Sequence, residues 1–440
     1  MYTLIRPGVF RQIPSIQIHK QFIRRRRKYM GFDLPTESVD PTNMIHEPFG
    51  RNQKQILRPT KYSEIQLWML NSYHEPLLVA PLSQRQLIGI SGDGANALLN
   101  GLITNDLNSL EKERIIFTYA LNAKGRILFE MLIYRFEEIA KVLDTNTRQR
   151  FAGTDENYVI ECDHRTAPDL IKHIRTFMLR RKINFIPLTD VNLFHIYPTP
   201  FEEEDKRVYQ AFTDPRNSFL GSRLVIPKTF DVKHYTQDLI YVSNLCYRDY
   251  LNHHAIPEGP LDITPGKYYP LEFSGDLMNG ISFTKGCYLG QELTTRTYYT
   301  GRIRKRLLAL RWSIFSEPLV VEPGYEIVDC MDLNYKKVGK VINFHNLLSS
   351  GIGLVDYYTM RVYPRIPAIR IPPKKFEQVV MHPPFWWTVE QQEIFNDDED
   401  KVYKRTDSCY NKKMDKADQD RIYKDMQEEY VDRGIDQAMI

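Results

Sequence analysis

Cysteine is scarce in this 440-residue chain, and none of it is grouped. The five are Cys162, Cys246, Cys287, Cys330 and Cys409, and no two have CxxC spacing. An odd, scattered set excludes a disulfide framework and fits a reducing compartment. It also excludes a self-contained zinc or iron–sulfur site, which would show as a local group of ligands. Long apolar runs are missing as well, and none approaches the roughly 18 residues that a membrane helix needs. Residues 1–32 contain no acidic side chain.

That last absence is paired with an excess. Arg6, Arg11, Lys20, Arg24, Arg25, Arg26, Arg27 and Lys28 stand among scattered apolar residues such as Leu4, Ile5, Phe10 and Ile16. An arginine-rich, acid-free segment without a continuous apolar core predicts a mitochondrial presequence, and so a place in the mitochondrial matrix. A nuclear-localisation or RNA-binding run at residues 24–28 is the competing reading. Acid depletion well beyond that run favours import. The net charge of +4 comes from this segment, because setting its eight basic residues aside leaves 51 basic against 55 acidic. The body therefore presents no global field for a polyanion, and neither nucleic acid nor membrane is an expected partner.

Residues 33–78 are polar, contain proline and read as an extension or linker. Residues 86–91 then form a short apolar strand, and residues 95–102 an apolar helix with Asp93 near its start. Residues 115–121 and 126–136 are strands joined by the hairpin-type turn Asn122-Ala-Lys-Gly125. Residues 157–162 are another strand. A helix follows, with Thr166 as its cap, Pro168 in its first turn and Asp169 at capping-box spacing. Leu170, Ile174, Phe177 and Met178 are its buried stripe. Strands recur at 191–197 and 223–226. This order, without strict βαβ alternation, predicts an α+β body over 79–301. Residues 302–363 carry short strands broken by Pro323-Gly324 and Gly339, which predicts a small antiparallel β-barrel. Residues 364–440 begin Pro-rich and end as a charged tail.

The chemistry concentrates at Lys285-Gly286-Cys287-Tyr288-Leu289-Gly290-Gln291-Glu292, followed by Arg296 and by Thr300-Gly301-Arg302. Gly286 and Gly290 permit a tight or left-handed backbone around the sulfur. Lys285 can lower the thiol pKa from its free value of about 8.5, and the thiolate is the reactive and metal-binding form. Gln291 and Glu292 either cap the next helix or orient the thiolate. Arg296 and Arg302 either grip a carboxylate with paired hydrogen bonds or are ordinary structural arginines. The other cysteines read as small buried hydrophobes. The basic residues Arg302, Arg304, Lys305 and Arg306 alternate into a strand, so they read as its wet face. His253 and His254 stand near Glu258, but adjacent helical residues point about 100° apart and share no metal.

This signature resembles that of the YgfZ-type folate-binding proteins, whose mitochondrial branch serves iron–sulfur cluster assembly. Thr104-Asn105-Asp106-Leu107, Leu121-Asn122-Ala-Lys-Gly125-Arg126, Asp214-Pro-Arg216 and Arg248 with Ile256-Pro-Glu258-Gly259 match the same family. The resemblance runs from about residue 82 to 360. It implies an aminomethyltransferase-like, folate-cradling body closed by a C-terminal barrel. It also implies tetrahydrofolate as a cofactor, with Asn105, Asp106, Asn122 and Arg126 as candidate contacts.

In the related aminomethyltransferase of glycine cleavage, a Gly-Gly-Ile-x-Asp-Asp stretch corresponds to Gly125 through Glu130. Phe129 and Glu130 replace the carboxylate pair here, and phenylalanine cannot exchange a proton. The resemblance thus implies a factor for maturing 4Fe-4S proteins, of the aconitase type and the lipoate or radical type, more than an enzyme. A-type iron–sulfur carriers and apo 4Fe-4S enzymes are the implied partners. Cys287 would be a functional thiol and a shared ligand of a transient 4Fe-4S or 2Fe-2S cluster, since one cysteine cannot hold the usual four-ligand cluster. A folate-dependent aminomethyl or one-carbon transferase, and a non-catalytic interaction platform, remain the alternatives.

Overall fold

A computed structural model of the chain describes residues 77–197, 209–232, 239–301, 303–311, 320–330, 335–345, 350–356, 367–371, 375–384 and 386–387. All of them belong to the unit Pro59–Ile440. The presequence, nearly all of the 33–78 extension, Arg302, Cys409 and most of the 364–440 tail lie outside the described residues.

The first sheet holds β2 (Arg85–Ser91), β3 (Ile115–Leu121), β4 (Ile127–Arg135), β5 (Asn157–Asp163) and β6 (Asn184–Leu188), in the order β3-β4-β5-β2-β6. Its ladders are antiparallel. The β3–β4 turn forms where the sequence predicts it, with Gly125 at φ +71°. Every residue of β3 is buried, because both faces of the sheet are covered. On one face pack α1 (Ala95–Leu102) and α4 (Ala167–Met178), through Leu98, Leu99, Leu102, Leu170 and Ile174. Between them in the chain lie two single-turn helices, α2 (Phe136–Ala140) and α3 (Thr145–Gln149). The other face points into a core shared with the remaining sheets.

The start of α4 departs from expectation. Pro168 is in its first turn, but the Thr166 side chain caps nothing. Its hydroxyl donates instead to the Asp163 carbonyl at 3.1 Å. Asp163 already turns the chain through hydrogen bonds to Arg165, and Thr166 is drawn back into that turn.

The second sheet runs β10-β1-β7-β9-β8, made by β1 (Leu77–Pro81), β7 (Val191–Tyr197), β8 (Gln210–Thr213), β9 (Ser222–Pro227) and β10 (Leu239–Tyr241). Only its β1–β10 pair is parallel. Helix α5 (Asn244–His253) follows, and α6 (Gln291–Thr300) comes after a long irregular stretch.

The third sheet is antiparallel. Its strands are β11 (Lys305–Arg311), β12 (Glu326–Asp329), β13 (Lys337–His345), β14 (Ser350–Asp356), β15 (Pro367–Ile371), β16 (Lys375–Gln378) and β17 (Val380–His382). The order is β16-β15-β12-β13-β14-β11-β17. Among the described residues this ladder runs between the edge strands β16 and β17, and closure into the expected small barrel is not seen among them. Register shifts in β12 and β13 bend it, as bulges do. The sheet also continues to His382, past the boundary at 363 that composition suggests.

The architecture is α+β. Phe117, Tyr119 and Leu121 of β3, Leu193 of β7, Val225 of β9, and Leu307 and Ile352 of the third sheet meet in one apolar core. Three sheets therefore converge on one interior, and residues far apart in the chain become neighbours there.

Candidate functional site

Cys287 is exposed beside an exposed Gly286, in a loop that is held on one side at Lys285 and on the other at Tyr288 to Gly290. The loop is fastened first to the end of α1. The Lys285 ammonium donates to the carbonyls of Asn100 (2.8 Å), Ile103 (3.0 Å) and Asn105 (2.6 Å) and to the Asn100 amide oxygen at 3.3 Å. The last carbonyls of a helix have no partner within it and carry the negative end of its dipole, so a lysine there satisfies both needs. Burial lowers the Lys285 ammonium to about 8, with Asp106 opposing the shift. Leu289 N–H donates to Gly101 O at 2.9 Å, Ser282 N–H to Thr104 O at 3.0 Å, and the Thr104 hydroxyl to Gly280 O at 2.6 Å. Two sequence motifs far apart in the chain, around Thr104 and around Lys285, thus close on each other.

The second fastening is backbone against backbone. Gly290 has φ +81° and lies on the 122–125 turn, where a side chain would overlap Asn122 O and Leu121 Cβ. Only glycine adopts this left-handed conformation without strain. The Gln291 amide oxygen accepts from Tyr288 N–H at 3.3 Å, which ties the loop to the first turn of α6. Tyr288 is buried under the Lys285 ammonium, 5.3 Å from its ring centre. A depression of about 600 Å³ lies beside it, lined by Ala123, Tyr288, Gly290, Gln291, Glu292, Thr295 and Arg296.

The residues singled out from the sequence have different fates. Gly286 is exposed and has no close neighbour, so its backbone is not the constrained one. The Lys285 ammonium, expected to act on the thiol, is held by four oxygen acceptors instead. Gln291 serves the loop backbone. Glu292 is 93% and Arg296 65% exposed, and they form a 4.0 Å pair of the kind that contributes little. Gly301 ends α6. Arg302 lies outside the described residues.

The four residues named for folate each make contacts within the protein. The Asn105 amide donates to Phe117 O and Asn279 O and accepts from Asp106 N–H. Asp106 accepts from Asn108 N–H at the start of a short helix. Asn122 accepts from Lys124 and Arg126 N–H within its own turn. Arg126 donates to Lys267 O and stacks on Tyr269. Each is engaged in local structure.

Between the first and second sheets, with Tyr247 of α5 and the Glu258–Gly259 loop, lies a buried ionic network that sequence reasoning missed. Arg85 bonds Glu130, and its Nε donates to Glu161 at 2.8 Å. Arg223 donates to Glu258 at 2.7 Å and to the Tyr247 hydroxyl at 2.6 Å. Arg216 pairs with Asp214 at 2.7 Å and Glu258 at 3.0 Å. Gly259 N–H donates to Glu130 at 3.1 Å. Burial opposes ionisation of Glu258, but Arg223, Arg85 and Arg216 together hold its carboxyl well below the usual range. Phe129 faces the opposite way, into the helix-covered core beside His173. Asp214, Arg216 and Glu258 belong to the matching motifs, so those motifs mark this network. Its other members were visible as charges inside apolar strands, Glu130 in ILFEMLIYR and Glu161 in NYVIECD.

The chain is similar to several proteins named mitochondrial iron–sulfur cluster assembly factor IBA57. Identity to the mouse protein is 32% over 254 residues, covering 52% of this chain and 65% of that one. To the Neurospora crassa homologue it is 35% over 244 residues, or 52% of each. To the human protein it is 31% over 274 residues, covering 56% of this chain and 70% of that protein. The chain belongs to the IBA57 family. This bears out the family reading made from the signature. The match spans just under two thirds of the mouse relative and about half of the Neurospora one. No protein-family model matches the chain. Among solved structures, the glycine cleavage aminomethyltransferase T from Bartonella henselae overlaps with a TM-score of 0.48 at 13% identity, over 72% of this chain and 87% of that one. That overlap carries no argument about the IBA57-type site. Among the described residues, no group of three or more His, Cys, Asp or Glu could hold a metal, and no helix is long and apolar enough to cross a membrane.

Proposed function

We propose that the chain is a mitochondrial iron–sulfur cluster assembly factor that presents Cys287 as one ligand of a cluster shared with a partner protein. The observation that carries this reading is an exposed thiol on a loop locked at Lys285 and Gly290. A thiolate is a soft ligand suited to iron–sulfur chemistry, and clusters usually take four protein ligands. The missing ligands come from the partner, an A-type carrier, and the cluster is cargo for apo 4Fe-4S enzymes of the aconitase and lipoate or radical types. The names of the relatives and the acid-free, arginine-rich residues 1–32 support the mitochondrial location.

Aminomethyl transfer is the weaker reading, because Phe129 is packed in the core and Glu130 is held by Arg85. Tetrahydrofolate is the ligand that the family resemblance implies, and the reading of Cys287 does not depend on it. Saturable binding by calorimetry tests the ligand, and turnover with an amine-bearing substrate would restore the transfer.

The deciding experiment is anaerobic mixing of the full chain with an apo A-type carrier, iron and sulfide. Visible circular dichroism should show a cluster in the complex with wild type and not with Cys287→Ser. An equal cluster signal from the variant would remove the thiol from this role.

A further inference from the structure

Cations accumulate where the β3–β4 hairpin supports the Cys287 loop. Lys124 is exposed at the hairpin tip, beside the turn on which Gly290 lies. The Arg126 guanidinium stacks 4.4 Å from the Tyr269 ring centre and donates to Lys267 O. The Lys267 and Lys340 ammoniums share one aromatic ring, at 5.4 and 4.7 Å from the centre of Tyr268. Burial and the repulsion of Lys267, Lys305 and Lys337 push the Lys340 ammonium down, with Glu272 opposing. Of the neighbouring carboxylates, Glu326 is paired with Lys337, and Glu272 accepts from Tyr269 N–H. Like charges crowded in this way destabilise the free protein, and an opposing surface relieves them.

An aromatic cluster joins the end of α6 to the segment that precedes Lys285. Phe283 stacks on Tyr298 at 3.7 Å, and Tyr299 stands edge-on to both. Tyr298 is 44% and Tyr299 64% exposed. Exposed aromatic anchors with a charged surround are what protein interfaces favour.

We propose that this cationic surface, together with the Tyr298–Tyr299 cluster, is where an acidic protein docks to bring its own ligands to Cys287. The proposal rests on the reading of Cys287 as a shared ligand. Charge complementarity selects an acidic occupant. A single-stranded nucleic acid fits less well, because base stacking needs free ring faces. Here Phe283 and Tyr298 cover each other, while Tyr268 and Tyr269 are covered by cations.

The test uses the full chain and an apo A-type carrier, with association followed by stopped flow across a salt series. Lys124→Glu with Lys267→Glu should slow association about ten-fold at low salt and flatten the salt dependence. Lys124→Arg with Lys267→Arg should keep the wild-type rate. Tyr299→Ala should act mainly on dissociation. A circular dichroism melt checks that the double variant is folded, and Lys→Gln replacements at the same positions serve if it is not.

Unchanged association and salt slope, in a variant that still shares a cluster through Cys287, overturns the docking surface and leaves the reading of the thiol intact. Wild type that neither binds the carrier nor shares a cluster overturns both. Tight binding of an RNA oligonucleotide by wild type, lost in the double variant, overturns the protein partner.

Discussion

Gly125 and Gly290 meet backbone to backbone. A Cβ on Gly125 would lie 3.0 Å from Gly290 O, and a Cβ on Gly290 would lie 3.1 Å from the Gly125 Cα. Both have positive φ, +71° and +81°. The contact couples the hairpin of the first sheet to the loop that carries Cys287. Gly290→Ala meets both strain and overlap, so it should destabilise by about 2–4 kcal/mol. Urea denaturation checks the value, and cluster sharing should fall along with stability.

Lys285 supports the loop through its carbonyl cage. Lys285→Met leaves the end of α1 without its donor, and charge-assisted bonds of this kind are worth about 1.5–3 kcal/mol. A loss in that range is expected by denaturant melt. The folded pKa of about 8 lies below the unfolded value, so the folded state binds fewer protons above pH 8. Stability of wild type relative to Lys285→Met should therefore rise between about pH 8 and pH 10.4.

The thiols should separate by accessibility. Cys287 is exposed, whereas Cys162 and Cys246 are buried, and burial pushes the Cys162 thiol up to about 12. Native protein treated with iodoacetamide should be alkylated at Cys287 well before Cys162 and Cys246, which should react only after unfolding. Peptide mass spectrometry reads this directly, and early labelling of Cys162 would contradict the packing.

The ionic network should be fragile to removal of one partner. Arg223→Met leaves Glu258 and Glu161 short of a cation in the core, a change that costs about 3–5 kcal/mol. The expected result is a large fall in urea midpoint.

Asp249 should set a pH dependence of its own. Burial raises its carboxyl to about 6, although the Ser350 hydroxyl donates to it. The unfolded value is about 3.9, so the folded state binds more protons between the two. Stability from this group falls as pH rises from about 4 to 6 and is flat above. Asp249→Asn keeps an acceptor for Ser350 and removes the titration. It should gain up to about 3 kcal/mol over wild type at pH 7.5 and little at pH 4. Paired urea melts at the two pH values check it.

Much of the fold is readable in the chain because it is set locally. The β3–β4 hairpin follows from two apolar runs around Asn122-Ala-Lys-Gly125, and α1 from the spacing of Leu98, Leu99 and Leu102. Capping of α4 was not legible, because Thr166 answers to the Asp163 turn. The course of the third sheet past residue 363 was not legible either, since Pro367 suggests an end where β15 begins.

The chain by itself determined that Cys287 would be the distinctive thiol and that the 122–125 turn would join two strands. Both follow from residue types and spacing close in sequence. Only the tertiary structure decided that Lys285 serves the end of α1, that Gly290 must be glycine to lie on the 122–125 turn, and that Arg85, Glu130, Glu161, Arg223 and Glu258 neutralise one another. The physical reason is that such partners are tens to hundreds of residues apart. Which cation meets which oxygen is fixed only when distant strands and loops close on one another and exclude water.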